Sequence, residues 1–118
     1  MDDGRPLFIQ IAEKIEASIL EGSLAEEDRA PSTNELSAFY RVNPATAGKG
    51  INLLVDRGIL EKRRGLGTFV APGAQHIVRN QRVEEFAAHY LDPLLAEARA
   101  IGLDTEAVLA MLRDRDAS

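Results

Sequence analysis

The chain has 118 residues, with 19 acidic against 14 basic side chains for a formal charge of −5, and it is 45% hydrophobic and 28% charged. That length holds one ordinary domain or a small domain with an appendage, and the composition excludes a disordered tail. The acidic total excludes a protein that coats nucleic acid without regard to sequence, which requires phosphate neutralisation, and the absence of cysteine excludes a disulfide framework and a thiolate zinc site.

The first residues, Met1-Asp2-Asp3-Gly4-Arg5-Pro6, open acidic where a secretory signal opens basic, and no apolar run approaches the ~18 residues that span a bilayer. The expected location is therefore the cytoplasm, with no membrane partner. From Leu7 to Glu21 the apolar residues Phe8, Ile11, Ala12, Ile15 and Ile19 recur at helical spacing, and Gly22 is a natural stop. A second helix starts at Ser32, where Glu35 three residues on completes a capping box and Leu36, Phe39 and Tyr40 are expected to share one face. Asn43-Pro44 begins a third, with Asn as cap and Pro at the first helical position; Ala47, Ile51, Leu54 and Gly58 lie along its core face. Only Arg41, Val42 and Asn43 separate the second and third helices, the connection length of a helix-turn-helix. Two β-prone runs, Ile59 to Arg64 and Thr68 to Val70, then flank Gly65-Leu66-Gly67 and predict a hairpin. The fold class is mainly α with a small β-hairpin, a winged helix-turn-helix over 1–72 followed by a short helical tail over 73–118.

In the tail, Val83, Phe86, Ala87, Tyr90, Leu94, Ala98 and Ile101 form one helical stripe, and Pro93 is expected to kink or divide the helix that carries it. Gly102 ends that helix, and Asp104 or Thr105 caps the last one. A segment this short cannot enclose a core alone, so the stripe must pack on the first domain or on a second copy of the chain.

Charge is unevenly spread along these elements. Residues 1–31 carry −5, residues 32–70 carry +3 and residues 71–118 carry −3. The basic segment coincides with the helix-turn-helix and the wing, where small polar and basic side chains at the start of a recognition helix reach phosphates and base edges. Ala45, Thr46 and Lys49 lie on the outer side of the third helix. Ser32 and Thr33 at the start of the second helix offer hydroxyls and backbone N–H groups to a phosphate. Lys62, Arg63 and Arg64 charge the wing beside a flexible tip. Gly48 and Gly50 cost the third helix about 1 kcal/mol each relative to Ala, which implies either close approach to DNA or a soft helix. His76 and His89 lack a third ligand at metal spacing, Gly65-Leu66-Gly67 is not followed by the Lys-Ser/Thr of a phosphate loop, and no catalytic grouping is present; the chain reads as a non-enzyme without metal or cofactor. Two further readings stand beside DNA binding: a winged-helix protein interaction module that has lost DNA binding, and a small-molecule effector in a tail cleft near Phe86 and Tyr90.

Over about residues 6–70 the chain resembles the GntR family of bacterial transcription regulators. The resemblance runs from Pro6-Leu7-Phe8-Ile9-Gln10-Ile11-Ala12 through Arg29-Ala30-Pro31-Ser32-Thr33-Asn34-Glu35-Leu36 and Val42-Asn43-Pro44-Ala45-Thr46 with Lys49, to Gly58-Ile59-Leu60 and Gly65-Leu66-Gly67-Thr68-Phe69-Val70. The Asn-Pro-x-Thr-x-x-Lys form of the third helix and the short tail are similar to the YtrA-like subfamily. The resemblance implies a homodimeric repressor of a nearby operon, often one for an ABC transporter, that binds an inverted repeat in double-stranded DNA, with the tail as dimerisation element. It implies DNA contacts at Ser32, Thr46, Lys49, Arg64 and Gly65. Two positions depart from the family pattern: Asn34 stands where an Arg is usual, and Gly48 where a polar or basic side chain is common. The full DNA-binding set expected here is Ser32, Thr33, Asn34, Asn43, Ala45, Thr46, Lys49, Lys62, Arg63, Arg64 and Gly65, and the dimerisation set is the tail stripe.

Overall fold

The computed structural model describes residues 4–117. It orders them as helices α1 (Leu7–Glu21), α2 (Thr33–Tyr40) and α3 (Pro44–Asp56), strands β1 (Leu60–Arg63) and β2 (Gly67–Val70), helix α4 (Ala74–Phe86), a π-helical turn (Ala87–Leu91), and helices α5 (Asp92–Ala100) and α6 (Thr105–Asp116). Three helices, a hairpin and a helical tail therefore follow one another as the hydrophobic periodicity predicts. The chain divides into two compact units, one ending at Asn80 and the other starting at Gln81.

In the first unit Ile11, Ala12, Ile15 and Ile19 of α1 meet Leu36 of α2, Ala47, Ile51 and Leu54 of α3, and Ile59, Leu60 and Val70 of the hairpin in one apolar core. The α1 and α3 backbones cross closely at Gly50, where a Cβ would lie 3.0 Å from the Phe8 carbonyl oxygen and 3.2 Å from Ile11 Cγ2. The glycine is thus explained by helix packing and not by DNA. Leu53, which the helical wheel puts toward the polar side, is half-buried against the same core. Ala74 and Val78 of α4 are also fully packed into it, and Gln75 Nε2 donates to the Leu20 carbonyl at 3.2 Å, so this unit extends past the change of pattern at Pro72-Gly73.

Local chemistry sets the helix ends. Ser32 Oγ accepts from the Glu35 N–H, while Glu35 Oε1 accepts from the Ser32 N–H, the reciprocal pair of a capping box. Asn43 Oδ1 caps α3 through the Ala45 N–H at 2.7 Å, with Pro44 at the first helical position. At the other end Gly58, at φ +76°, lets its own N–H reach Val55 O and the Ile59 N–H reach Leu54 O, which satisfies two terminal carbonyls. In the turn between α2 and α3, Val42 is tucked against the core and its carbonyl accepts from Ser37 Oγ at 2.6 Å. One expectation fails here: Phe39 does not join the core face of α2. It is 77% exposed and packs edge-on against Tyr40 at 4.8 Å, because the short helix buries only Leu36 fully.

The hairpin pairs Leu60 with Val70, Glu61 with Phe69, Lys62 with Thr68 and Arg63 with Gly67. A further strand-like segment, unmarked by any sequence signal, adds to the other edge of β2: Arg29 bridges Phe69, the Ala30 N–H donates to Thr68 O and the Val70 N–H donates to Asp28 O, both at 2.8 Å.

In the second unit Pro93 has the expected effect in a particular form. The helix does not break; the turn before the proline widens, with the Asp92 N–H donating to Ala87 O five residues back, and α5 restarts at Asp92. Gly102, at φ +81°, closes α5, and Asp104 caps α6 through the Ala107 N–H at 2.8 Å. Of the tail stripe, Val83, Phe86, Tyr90, Leu94 and Ile101 are exposed and Ala87 is half-buried. Ala98 differs: it is buried at the α5–α6 corner, where its carbonyl accepts from the Leu103 N–H, and so offers little surface to a second chain.

Candidate nucleic-acid interface

The outer side of α3 begins at its capped end. Asn43 spends its amide oxygen on the cap, Ala45 is exposed, and Thr46 is half-exposed one position on. Lys49 is exposed, and its ammonium lies 5.8 Å from the Phe8 ring centre. This cation–π contact, of about 0.5–1 kcal/mol at an exposed site, seats the lysine against α1 without neutralising it. Gly50 holds α1 and α3 close beside that seat, and Gly48 behaves oppositely: the nearest atom to a Cβ there would be Thr33 Cγ2 at 4.0 Å. The fold has room for a methyl group at Gly48 and gives no packing reason for the glycine.

At the start of α2 the Ser32 oxygen accepts from the Glu35 N–H of the capping box, and its hydroxyl also faces the Glu35 carboxyl. The Glu35 carboxyl is held below its ordinary value by the hydrogen bond from the Ser32 backbone N–H first and from its side chain second, with a smaller contribution from the charge of Arg29. Thr33 is half-buried and Asn34 exposed on the same turn.

The three wing cations do not share one role. Lys62 Nζ donates to Asn52 Oδ1 at 2.7 Å, which ties the wing to α3. Arg63 is locked: its guanidinium donates to Glu27 and Glu61, each at 2.6 Å, and stacks on Phe69 at 4.4 Å. Those two carboxylates raise its pKa further above an already high value. Arg63 is thus a neutralised part of the wing sheet, in contrast to the expectation of a charge open to DNA. Arg64 is exposed, with no ion pair among the described residues, beside Gly65 at φ +76° and an exposed Leu66 at the tip. The short loop is closed by the Leu66 N–H donating to Arg63 O at 2.9 Å.

Gathered on this unit are an exposed recognition-type helix, a capped helix start and a charged wing tip, and the sequence profile of the gntR family of bacterial regulatory proteins matches residues 8–70, which carry all three. The chain belongs to this family. Two curated relatives, both from Bacillus subtilis (strain 168), extend the similarity into the tail. The uncharacterized HTH-type transcriptional regulator YhcF is 29% identical over 89% of this chain and 85% of its own length, and the HTH-type transcriptional repressor YtrA is 28% identical over 86% of this chain and 77% of its own. Among solved structures, the DNA-binding domain of AraR in complex with operator ORR3 superposes with a TM-score of 0.52 at 36% identity, covering 54% of this chain and 77% of that one. This gntR-family chain is a transcription regulator that binds DNA, and it is not an enzyme. Among the described residues no His, Cys, Asp or Glu cluster could hold a metal ion, and no helix is long and apolar enough to cross a membrane.

Sequence reasoning gave no sign of two residues that stand against these side chains, Phe8 beneath Lys49 and Arg29 beside Gly67. Phe8 is an ordinary amphipathic-helix residue until α1 and α3 are brought together. Arg29 gives no periodic signal because its strand is an isolated bridge.

Proposed function

We propose that the chain is a homodimeric repressor of the YtrA-like kind, reading an inverted-repeat operator with α3 in the major groove and the wing tip at the adjoining minor groove. The observation that carries this reading is Lys49: it is exposed on α3, seated over Phe8 and unpaired by any carboxylate among the described residues. Thr46 stands one turn earlier on the same helix, and Ser32, Thr33, Asn34, Arg64 and Gly65 complete the set as phosphate and groove contacts. Gly48 leaves space for the duplex to approach the helix backbone. Repression is supported by the relative YtrA, described as a repressor. A target operon for a transporter belongs to the same proposal.

In this reading residues 1–72 bind DNA, with the start of α4 packed into their core, and the rest of the tail dimerises through Val83, Phe86, Tyr90, Leu94 and Ile101, with Ala87 in support. Phe86 is 59% and Tyr90 68% exposed, with their rings 5.8 Å apart, and Val83, Leu94 and Ile101 extend that exposed apolar surface along the tail. Dimerisation would set the two α3 helices about one helical turn of DNA apart, ~34 Å. The test is a titration of the wild-type protein and Lys49→Ala against the inverted-repeat duplex that the wild type selects from a randomised pool. The variant should bind more weakly at an unchanged melting temperature, and equal binding would refute the assignment.

A further inference from the structure

We propose that Arg29 is a phosphate-contacting residue of the wing, laid across the bare backbone of Gly67 and supplying a cation that Arg63 cannot. This rests on the DNA-binding reading above and adds to it a residue outside the helix-turn-helix and the hairpin.

The backbone places it. Arg29 faces Phe69 across the bridge, so its side chain shares a face of the sheet with Phe69, with Glu61 opposite Phe69, and with Gly67 two residues along β2. Its guanidinium occupies the space that a side chain at Gly67 would fill: an ideal Cβ there lies 3.1 Å from Arg29 Nε, 3.4 Å from Nη2 and 3.6 Å from Cζ. Gly67 is the first residue of β2 after the wing turn, so the charge sits at the base of the tip that carries Arg64 and Gly65. The Arg29 charge is also felt by Glu35 in the first turn of α2, the helix start that carries Ser32 and Thr33.

The chemistry leaves that charge available although three acids precede it in sequence. Glu26 Oε1 accepts from the Gly73 N–H, Glu27 pairs with Arg63, and Asp28 Oδ2 accepts from the Ala25 N–H. Glu35 is engaged by the Ser32 N–H, and Glu61 by Arg63. Each nearby carboxylate is thus committed elsewhere, and among the described residues none stands within ion-pair distance of Arg29, which is exposed. An exposed arginine fixed at its backbone, with its guanidinium laid over a glycine, is preorganised for an anion, and on this face the anion is a backbone phosphate.

The test measures Arg29→Ala and Arg29→Lys against the duplex selected by the wild type and against a scrambled duplex of equal length, over a salt series. One lost phosphate contact lowers the slope of log K against log salt by about 0.9 per bound protomer and weakens binding about fivefold at 0.15 M salt. Arg29→Ala should show this loss equally on both duplexes with an unchanged melting temperature, and Arg29→Lys should restore most of the slope. An unchanged slope in Arg29→Ala, or a loss confined to the selected duplex, overturns the proposal. Failure of the wild type to show salt-dependent binding on either duplex would instead refute the DNA-binding reading beneath it.

Discussion

Gly48 and Gly50 stand two residues apart on α3, and replacing each by alanine should move stability in opposite directions. In a helix interior the exchange contributes about 1 kcal/mol through propensity alone. At Gly48 nothing opposes that gain, since the nearest atom to the added methyl is Thr33 Cγ2 at 4.0 Å, an ordinary contact distance. At Gly50 the methyl would lie 3.0 Å from the Phe8 carbonyl oxygen and 3.2 Å from Ile11 Cγ2. The carbonyl belongs to the backbone of α1 and cannot turn aside as a side chain would, so α1 must move away from α3. Overpacking of this kind costs about 1–3 kcal/mol, which outweighs the propensity gain and leaves a net loss of about 1 kcal/mol. The two variants should therefore differ by about 2 kcal/mol, with Gly48→Ala above and Gly50→Ala below the wild type. For a domain of this size each kcal/mol is worth roughly 4–8 °C in Tm. Urea and thermal unfolding followed by far-UV circular dichroism would measure it. A Gly50→Ala variant as stable as the wild type, or a Gly48→Ala variant less stable, would refute the packing account of both glycines.

Other consequences follow from the same geometry. Gly48→Ala, despite its added stability, should weaken operator binding in an electrophoretic or anisotropy titration, because the methyl occupies the proposed DNA-facing gap. Phe8→Leu should keep the fold but unseat Lys49, and so weaken operator binding several-fold with little change in Tm; a change in Tm alone would make the aromatic–lysine contact irrelevant to binding. Since the Glu35 carboxyl titrates below its ordinary value of about 4.5 in the folded chain, its stabilising effect is full above that value and disappears as pH falls through the lowered one. Glu35→Gln should accordingly flatten the acid side of the stability profile, as seen in urea midpoints between about pH 5 and pH 3. Phe86→Glu combined with Tyr90→Glu should yield a monomer in sedimentation equilibrium, whereas an unchanged dimer would remove the tail stripe from the interface.

Local signals in the sequence reached the fold almost completely. Ser32 with Glu35, Asn43 with Pro44 and Gly58 mark helix ends through bonds to neighbours a few residues away, and these are the bonds that form. Long-range pairings were the hidden part. Arg63 reads as a wing cation until Glu27, from the segment before α2, arrives to neutralise it, and Arg29 reads as loop until its bridge to Phe69 is formed. Gly50 looks like its neighbour Gly48 because the α1 backbone that distinguishes them is remote in sequence. Phe39 misled for a different reason: helical spacing places it near the core face, but α2 is too short to cover more than Leu36.

The acidic total at first argues against nucleic acid, and the structure shows where that acid goes: Glu26, Glu27 and Asp28 are engaged within the fold, while Lys49, Arg64 and Arg29 remain exposed. Few phosphate contacts and a shallow non-specific affinity follow from so small a basic patch. The most direct measurement is a salt titration of wild-type binding to the selected inverted-repeat duplex and to its scrambled counterpart. The account predicts tight, salt-dependent binding to the repeat and weak binding to the scrambled duplex that is lost as salt rises; indistinguishable affinity for the two duplexes, or no binding to either, would contradict it.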